Sequence, residues 1–596
     1  MKRRYIIPVA LLALMLLSRV KAVDSAPSAD DRSAAQLLPA TTLVYVEIPE
    51  PKKLVELVFD HPMRKKLEAM DQYKAFKASP QYTQLMAGVA IFEKQVDMKW
   101  REAIEAVAGG GMTLAFDPTT NGVVILIKAD DLKKMEQVRD GVFNFVRATA
   151  GKNDPLKPNN YRGIDTYKGP GGGGFAIHGK WIILTNNKDL GQQVLDTIID
   201  NPKQTLATDK EFAAAKAMAT GRSSSNTSAG DLPTLWTFAR IAGVRDAGLL
   251  NALMKEKSDN PGAELILGGL QETIKHANYA TAALRLKHDE IRLTLAAPHD
   301  HAKVPKVREY FFAPHGQGAP RPLKVEGTAL SITTYRDISA MFKSADELFE
   351  EAVAANIANA DSQISLFFGG RKFYDEVIGA LKPQMQFIVA RQNFKDVTPG
   401  IKLPAFALAA RLKKNDPTTI AQFKAAFQSI VGFANLQGTM EGRAMLVPDM
   451  DKLDGATLLW ASYLLDEKKT DPKKADIYFN FSPAMAIAGD RVFFCSTKEL
   501  AEQLIAAAKK QTGSEFVDDN TLLELDGPAV IQMLRDNRDQ LIAQNMVSKG
   551  NSPEAALAET DLLLELANSV KGSTFSLSFK NNAASLDWGV KLSLPK

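Results

Sequence analysis

Cysteine is almost absent from this sequence: the 596 residues contain one, Cys495. A single cysteine cannot form an intramolecular disulfide, so the chain must be stabilised by its apolar cores alone. The thiol lies in the apolar stretch VFFCS at 492–496. A catalytic thiol needs a nearby base and an accessible, electropositive setting, which this stretch does not indicate. We therefore predict that Cys495 is a small buried residue.

Histidine is also scarce, with seven residues and no HExxH pair. The one cluster is His299-Asp300-His301, in a proline-rich stretch. Alternating residues of an extended segment can chelate a transition metal, but a structural or catalytic site needs further ligands and supporting hydrogen bonds. A solvated linker is the favoured interpretation of this cluster, and we predict no metal site there.

Loops that bind phosphate or calcium are not recognisable either. Gly109–Gly111 and Gly171–Gly174 lack the Lys-Ser/Thr pair of a P-loop, and we interpret both runs as flexible turns. The segment PDMDKLDG at 448–455 resembles a calcium loop only at its start. If Asp449 takes the first position of such a loop, Leu453 takes the fifth, where an oxygen ligand is required, and Asp454 takes the sixth, where glycine is required. Calcium binding is therefore not expected.

Motifs of nucleophilic catalysis are missing as well. The sequence has no GxSxG elbow. Catalysis by a pair of carboxylates stays an open alternative, because the sequence contains 69 acidic residues and does not indicate which of them would form the pair. The five tryptophans are a candidate sugar-stacking surface, although Trp181 and Trp588 fall in predicted strands with one buried face, which favours the core. They are Trp100, Trp181, Trp236, Trp460 and Trp588. No catalytic, cofactor-binding or metal-ligating residue is assigned.

Long apolar runs are confined to the N-terminus. Tyr5–Leu17 follows the basic Lys2-Arg3-Arg4 and precedes Val20-Lys21-Ala22, the pattern of a secretory signal peptide; the run is short for a membrane span. We predict cleavage after Ala22 and a location in the periplasm, at the cell surface or in the medium, with a retained anchor as the alternative. No transmembrane helix is expected after removal of the signal.

Removal of residues 1–22 also changes the charge. The segment contains five basic residues and no acid, so the formal net charge of +4 becomes −1. The basic character of the chain thus belongs mainly to the signal, and we expect no nucleic-acid partner.

An internal repeat organises the remaining chain. FAIHGKWIILTNNKDLGQQVL at 175–195 and MAIAGDRVFFCSTKELAEQLI at 485–505 share the order strand, glycine, strand, polar step, amphipathic helix. Aligned without a gap, Gly179 matches Gly489 and Lys188 matches Lys498. Flanking strand, hairpin and helix patterns recur in the same order around both copies.

These patterns predict an α+β protein made of two tandem copies of one unit, each a mainly antiparallel sheet covered by amphipathic helices. The predicted segments are a signal peptide at 1–22, a mobile leader at 23–36, the first unit at 37–298, a Pro-rich linker at 299–327 and the second unit at 328–596. The second unit has an expansion at 443–477, which we expect to form a lengthened hairpin around TLLWASYLLD.

Four stretches carry a resemblance: LPATTLVYVEIP, DSQISLFFGGRKF, KLPAFALAARLK and ADIYFNFSPAMAIAGDRVFFCSTKEL. With them the chain resembles a family of large, internally duplicated exported bacterial proteins of unknown function, of the planctomycete type. The resemblance covers most of the chain after the signal and is clearest at 328–510. It implies a periplasmic or cell-surface setting and carries no catalytic residues.

The absence of a catalytic motif, the duplicated architecture and the balanced charge favour an exported non-enzymatic binding or interaction protein. Its partner would be a protein or a component of the cell envelope. Two alternatives stay open: a hydrolase of envelope or extracellular polymer that uses carboxylates, and a periplasmic folding or assembly factor. A polar pocket with coupled acids would favour the hydrolase, and a broad apolar groove would favour the assembly factor.

Overall fold

The computed structural model describes residues 29–594, except 70, 151–155, 170–172, 222–231, 247, 249, 454 and 466–470. The predicted signal peptide, its cleavage site and residues 23–28 of the predicted leader lie outside this part of the chain. No helix within it is long and apolar enough to cross a membrane.

The strands are numbered in chain order. They are β1 Val44–Ile48, β2 Met112–Asp117, β3 Gly122–Lys128, β4 Asn159–Tyr161, β5 Ile164–Lys168, β6 Gly174–His178, β7 Trp181–Thr185, β8 Leu235–Ala239, β9 Ala280–Leu286, β10 Glu290–Pro298, β11 Thr328–Tyr335, β12 Gln384–Ala390, β13 Ala405–Arg411, β14 Leu446–Leu453, β15 Ala456–Tyr463, β16 Ala484–Ala488, β17 Arg491–Cys495, β18 Thr521–Asp526, β19 Val570–Lys580 and β20 Ala583–Leu592.

The α-helices are numbered in the same way. They are α1 Pro51–Phe59, α2 Arg64–Ala69, α3 Asp71–Lys77, α4 Pro80–Val96, α5 Trp100–Ala108, α6 Leu132–Ala150, α7 Lys188–Asp200, α8 Lys210–Ala219, α9 Ile241–Asp246, α10 Pro261–His276, α11 Ile338–Lys343, α12 Ala345–Leu348, α13 Glu351–Ser365, α14 Pro417–Met440, α15 Lys498–Lys510, α16 Gly527–Asp536, α17 Arg538–Lys549 and α18 Pro553–Ala567.

The chain divides into two compact units. Unit 1 comprises the described residues up to 248, Ala277–Ala297 and Leu594; unit 2 comprises Leu250–His276 and Pro298–Ser593. Helix α10, which the sequence analysis assigns to the first unit, therefore belongs to unit 2. Its partners there are named below.

Every strand pairing within the units is antiparallel. In unit 1 the order across the sheet is β4-β5-β6-β7-β3-β2-β1-β8-β9-β10. In unit 2 it is β14-β15-β16-β17-β13-β12-β11-β18-β19-β20. The predicted fold class, α+β with mainly antiparallel sheet and helices, is confirmed. The shared pairing order is what a duplication predicts, and the duplication itself stays a prediction.

Alternation along the strands places a core on each face of the sheet in unit 1. Leu126 and Ile183 belong to a core that also contains residues of α7 and α8. Their chain neighbours Ile127 and Ile182 belong to a second core, with residues of α5 and α6. Both faces of the sheet are therefore covered by helices.

The glycines of the repeat occupy comparable turns. Gly179 lies between β6 and β7 with φ 55°, and Gly489 lies between β16 and β17 with φ 64°. A positive φ at the first loop position of a two-residue hairpin is the requirement that type II′ turns place on glycine. At Gly179 a Cβ would also lie 2.1 Å from Oδ1 of Asp30.

The described part of the predicted mobile leader is bound to unit 1. Residues 29–31 and 34–36 form short 3₁₀ helices, and Ala34 is buried in the core. The guanidinium of Arg32 donates to the carbonyl oxygens of Thr197 (3.0 Å) and Ile198 (2.6 Å), at the C-terminal end of α7. A cation at this position is favourable because the last carbonyls of a helix lack partners. The description of 29–36 as mobile is wrong.

The predicted linker at 299–327 likewise differs from expectation. It contains a 3₁₀ helix at Lys306–Phe311, and Tyr310, Phe311 and Phe312 are buried in a core of unit 2. Arg308 donates to the carboxylates of Glu264 (2.9 Å) and Glu272 (2.7 Å) of α10, and all three side chains are buried. The prolines indicated correctly that no regular strand is present, but the aromatic residues between them make this segment part of the folded unit.

Candidate functional site

A cavity of about 470 Å³ lies in unit 1, between the strands β4–β7 and the helix α7. This volume falls within the range of about 300–1,000 Å³ that is typical of small-ligand sites. The residues around it are Asn159, Tyr161, Thr166, Tyr167, Lys168, Gly169, Gly173, Gly174, Phe175, Ala176, Ile183, Thr185, Lys188, Gly191, Gln192 and Leu195.

Two rows of paired residues form the wall on the sheet side. In one row Ala176 pairs with Thr166 on one side and with Ile183 on the other. In the next row Gly174 pairs with Lys168 and with Thr185. Directly opposite residues of an antiparallel pair project from the same face, so both rows face α7. Their small central residues, alanine and glycine, leave space between the sheet and the helix.

The N-terminal half of α7 forms the opposite wall. The helix begins after Asn187, whose side-chain oxygen accepts hydrogen bonds from the amides of Asp189 and Leu190. Gly191 allows a close approach to the sheet, because a Cβ there would lie 2.8 Å from Cγ2 of Thr185. The hydroxyl of Thr185 donates to backbone carbonyls, among them that of Asn187 at 2.9 Å, and so anchors the start of the helix.

The β4–β5 hairpin closes the side of the cavity. Its two-residue turn, Arg162-Gly163, has positive φ at both positions, as in a type I′ hairpin. Arg162 pairs with Asp196 (2.6 Å) and Asp200 (2.6 Å) of α7. The hydroxyl of Tyr161 donates to Asp196 at 3.1 Å; desolvation, and then this carboxylate, raise the pKa of Tyr161. These contacts hold the hairpin against the helix.

The cavity has an apolar interior and a basic rim. Ala176, Ile183 and Leu195 are buried, whereas Lys168 and Lys188 are exposed. In the described part of the chain, no aspartate, glutamate, histidine or cysteine lines the cavity. The arrangement is suited to hold an apolar molecule, and the ionisable groups among its described lining residues are those of Tyr161, Tyr167, Lys168 and Lys188.

The corresponding place in unit 2 is filled by larger side chains. Leu458 pairs with Ala486 as Thr166 pairs with Ala176, and Trp460 pairs with Ala484 as Lys168 pairs with Gly174. In α15, Ala501 replaces Gly191, and Leu458 and Ala501 are completely buried. The same arrangement of strands and helix is thus packed in unit 2 and open in unit 1.

The residues singled out by the sequence analysis are dispersed. Cys495 is buried in β17 as predicted, and burial raises the pKa of its thiol. His299 is buried rather than solvated, with Nδ1 3.0 Å from the hydroxyl of Thr273, while His301 is exposed. The interpretation of His299 as part of a solvated linker is wrong.

Among the tryptophans, Trp181 and Trp236 are core residues, and for Trp181 this confirms the prediction. Trp588 is 41% exposed, so the prediction of a core position is wrong for this residue. It lies near the end of the chain in β20, whose burial is only partial. Asp451, from the segment that partly resembles a calcium loop, lies in β14 and pairs with Lys498 of α15 at 2.8 Å.

The glycine runs take different positions. Gly109–Gly111 connects α5 to β2, and Gly111 has φ 117°. Gly173 and Gly174 border the cavity, while 171 and 172 lie outside the described residues. In the described part of the chain, no group of three or more potential metal ligands is present. The predicted expansion of unit 2 does contain a lengthened hairpin: β14 and β15 have eight residues each, against three and five for β4 and β5.

The sequence patterns predicted no site, and the cavity was not expected. The signal that could have found it is the contrast between the aligned copies, with Gly191 in the first against Ala501 in the second. The differences between β4–β5 of unit 1 and β14–β15 of unit 2 could not be recognised from the sequence, because the alignment of the two copies begins only at residue 175.

No protein-family model matches the chain, and no curated protein matches it. Among solved structures, the chain is similar to "Structure of crystal form IV of TP0453", with a TM-score of 0.23 and 11% identity over 45% of this chain and 80% of that one. A second match is "Structure of crystal form III of TP0453", with a TM-score of 0.25 and 11% identity over 47% of this chain and 85% of that one. Similarity at this level carries no inference about function.

Proposed function

We propose that this protein is an exported, non-enzymatic binding protein whose ligand is a mainly apolar small molecule held in the unit 1 cavity. The observation that carries the proposal is the comparison of the two units. The same strands and helix enclose an open, apolar space in unit 1, whereas Leu458, Trp460 and Ala501 occupy the corresponding positions in unit 2. Protein interiors are close-packed, so a cavity of this size that is present in unit 1 and filled by side chains in unit 2 supports the binding of a ligand in unit 1.

The hydrolase alternative has less support. Carboxylate-based hydrolysis of a glycosidic bond requires two acids flanking one site, and among the described residues none lines the cavity. The buried acids Glu264 and Glu272 lie elsewhere, in unit 2, where both pair with Arg308. A structural ion-pair network accounts for them.

The test of the proposal uses N-phenyl-1-naphthylamine, a neutral apolar probe whose fluorescence rises on transfer from water. We expect saturable binding to the wild-type protein. The double variant Thr166→Leu/Lys168→Trp places the side chains of unit 2 in the cavity and should weaken binding at least about tenfold, the loss of a ligand's main apolar contact area. Lys203→Trp, in an exposed loop, is the control for adding a tryptophan. Equal probe binding by the double variant, with its thermal unfolding unchanged, would overturn the proposal.

Export is proposed from the composition of residues 2–22 and from the resemblance to exported bacterial proteins. N-terminal sequencing of the protein from its native host should begin at Val23. An intact Met1 in a membrane fraction would instead support a retained anchor.

A specific observation also favours the third hypothesis, a folding or assembly factor. Helix α14 exposes three apolar side chains in its C-terminal part: Phe433 is 54% exposed, Leu436 64% and Met440 83%. Exposed apolar patches of this kind often mark surfaces that bind proteins. If this surface holds unfolded clients, Phe433→Ser/Leu436→Ser should lose the ability to suppress aggregation of a reduced model protein, while Thr166→Leu/Lys168→Trp should retain it. The absence of any suppression by the wild-type protein would eliminate this candidate.

A further inference from the structure

The rim of the unit 1 cavity contains two cations without an acidic partner. In the part of the chain that the structure describes, neither Lys168 nor Lys188 forms an ion pair, and the residues around the cavity include no acid. Asp196 of α7, which holds the hairpin wall in place, is bound by Arg162 and Tyr161. The positive charge at the rim is therefore not neutralised by the cavity's own residues.

In unit 2 the equivalent lysine is neutralised within the protein. Lys498 occupies in α15 the first position that Lys188 occupies in α7. Its Nζ lies 2.8 Å from Oδ2 of Asp451 and 3.8 Å from the ring centroid of Trp460. The same carboxylate also accepts a hydrogen bond from Nε1 of Trp460 at 2.9 Å. Lys498, Asp451 and Trp460 thus contact one another, and the charge of Lys498 is neutralised by Asp451.

The register identifies the residue of unit 1 that corresponds to this acid. Asp451 pairs with Leu458, and Leu458 pairs with Ala486. In unit 1, Asn159 pairs with Thr166, and Thr166 pairs with Ala176. Asn159 therefore takes the place of Asp451, and it lines the cavity. Where unit 2 has an aspartate, unit 1 has a neutral amide of the same shape.

We infer, on the basis of the proposed function, that the ligand of the cavity is an organic anion with an apolar body, whose negative group lies beside Lys188 and Asn159 and neutralises Lys188 as Asp451 neutralises Lys498. The apolar body would lie against Ala176, Ile183 and Leu195. The anionic group would accept hydrogen bonds from the ammonium group of Lys188 and from the amide of Asn159, with Lys168 adding to the local positive potential. Medium-chain carboxylates are the simplest members of this class.

The experiment compares decanoate and decanol, which share a ten-carbon chain and carry a charged and a neutral head group, each displacing N-phenyl-1-naphthylamine from the full-length protein. We expect decanoate to compete at about five- to tenfold lower concentration than decanol, the effect of one partly solvent-screened ionic contact. The preference should decrease as salt is added, because the rim is exposed.

Two variants test the assignment. Asn159→Asp installs the acid of unit 2 and should abolish the preference for decanoate, measured within this variant as the ratio of the decanol and decanoate concentrations that displace the probe. Lys188→Gln should do the same by removing the cation, and Lys203→Gln, in an exposed loop, is the matched control. Lys188→Gln also provides an independent result if Asn159→Asp does not fold.

The outcomes separate this inference from the proposed function. Equal competition by decanoate and decanol, or a preference for decanoate that persists in Lys188→Gln, would overturn the inference and leave the cavity as a site for neutral apolar ligands. Failure of the neutral probe to bind the wild-type protein would overturn the proposed function and this inference together.

Discussion

The side-chain amide of Asn435 in α14 binds both backbone polar groups of Leu446 in β14. Its Nδ2 donates to the carbonyl oxygen of Leu446 at 2.8 Å, and its Oδ1 accepts from the amide of Leu446 at 2.7 Å. Within the described residues β14 pairs with β15 alone, so these bonds occupy the free edge of the strand. Backbone groups two residues apart point to the same side of a strand, so Pro448 and Met450 also face this edge. Proline has no amide, and the amide of Met450 donates to Asp449 at 2.7 Å.

The first prediction is that these contacts prevent pairing between β14 strands of different molecules. Free edges favour such association, and proline on an edge strand opposes it. In the double variant Asn435→Ala/Pro448→Thr, the outward-facing amides of residues 446 and 448 become available to pair with a strand of another molecule. We expect concentration-dependent self-association in sedimentation velocity. Gln428→Ala, an exposed change on the same helix, should remain like the wild type; a double variant that also does so would contradict the prediction.

The second prediction concerns two buried tyrosines. The ring of Tyr167 stacks on Phe175 with centroids 4.6 Å apart, but its hydroxyl has no hydrogen-bond partner among the described residues. Burial raises the pKa of Tyr167 to about 12. A buried hydroxyl without a partner costs about 1–3 kcal/mol, so Tyr167→Phe should increase the free energy of unfolding by about 1 kcal/mol.

Tyr310→Phe is the matched comparison with the opposite sign. The hydroxyl of Tyr310 donates to the backbone oxygen of Glu264 at 3.0 Å. Its loss should decrease the free energy of unfolding by about 1 kcal/mol or more. Both are measured by urea unfolding, and a destabilised Tyr167→Phe would mean that its hydroxyl has a partner in solution.

Local patterns were sufficient to predict many elements. The strand, glycine, strand and helix expected at 175–195 are observed as β6, Gly179, β7 and α7, and those expected at 485–505 as β16, Gly489, β17 and α15. In these stretches the apolar alternation and the turn residues are adjacent in sequence, so the signal is local. The fold class followed from the order of such signals.

The cavity could not be predicted in the same way. It depends on which residues oppose one another across strands: Asn159 opposite Thr166 in unit 1, and Asp451 opposite Leu458 in unit 2. Strand register is a long-range property that spacing alone does not determine. The burial of His299 was missed for a related reason, since its partners Thr273 and Phe312 lie on other elements.

The third prediction concerns the buried ion-pair network of unit 2. Arg308 pairs with Oε1 of Glu264 and with Oε2 of Glu272, and Oε2 of Glu264 has no hydrogen-bond partner among the described residues. Arg308→Met would leave the buried carboxylate of Glu264 without its cation, while Glu272 would keep Lys275 at 3.6 Å and His276 at 3.2 Å. Breaking a buried ion pair in this way costs about 3–5 kcal/mol. We expect a large decrease in the urea midpoint of the transition that reports on unit 2.

The control for this prediction is Arg308→Met/Glu264→Gln/Glu272→Gln, which removes the charges together and should recover part of the loss. A single variant as stable as the wild type would mean that the acids are protonated or hydrated. It would also contradict the view that this network fixes α10 to the segment at 306–311.

The fourth prediction is a pH dependence of stability caused by His299. Burial, and then the neighbouring His301, lower the pKa of His299 to about 4, while Asp300 acts in the opposite direction. The ring stacks on Phe312 with centroids 5.0 Å apart, and Nδ1 contacts Thr273. Nε2 is buried and has no hydrogen-bond partner among the residues that the structure describes. In the unfolded chain the pKa of a histidine is about 6.5. The unfolded state therefore binds the proton first as the pH falls, and stability contributed by the neutral ring is lost between about pH 6.5 and pH 4.

His299→Phe keeps the aromatic stacking and removes the titration. We expect lower stability than the wild type at pH 7, by about 1 kcal/mol for the lost hydrogen bond to Thr273, and a smaller decrease in stability between pH 6.5 and pH 4. Urea unfolding at half-unit pH steps measures both effects. His315→Phe, at an exposed position of the same segment, should retain the wild-type slope. If His299→Phe also retains it, the loss of stability at acid pH belongs to other groups, and the buried ring is not protonated on unfolding in this range.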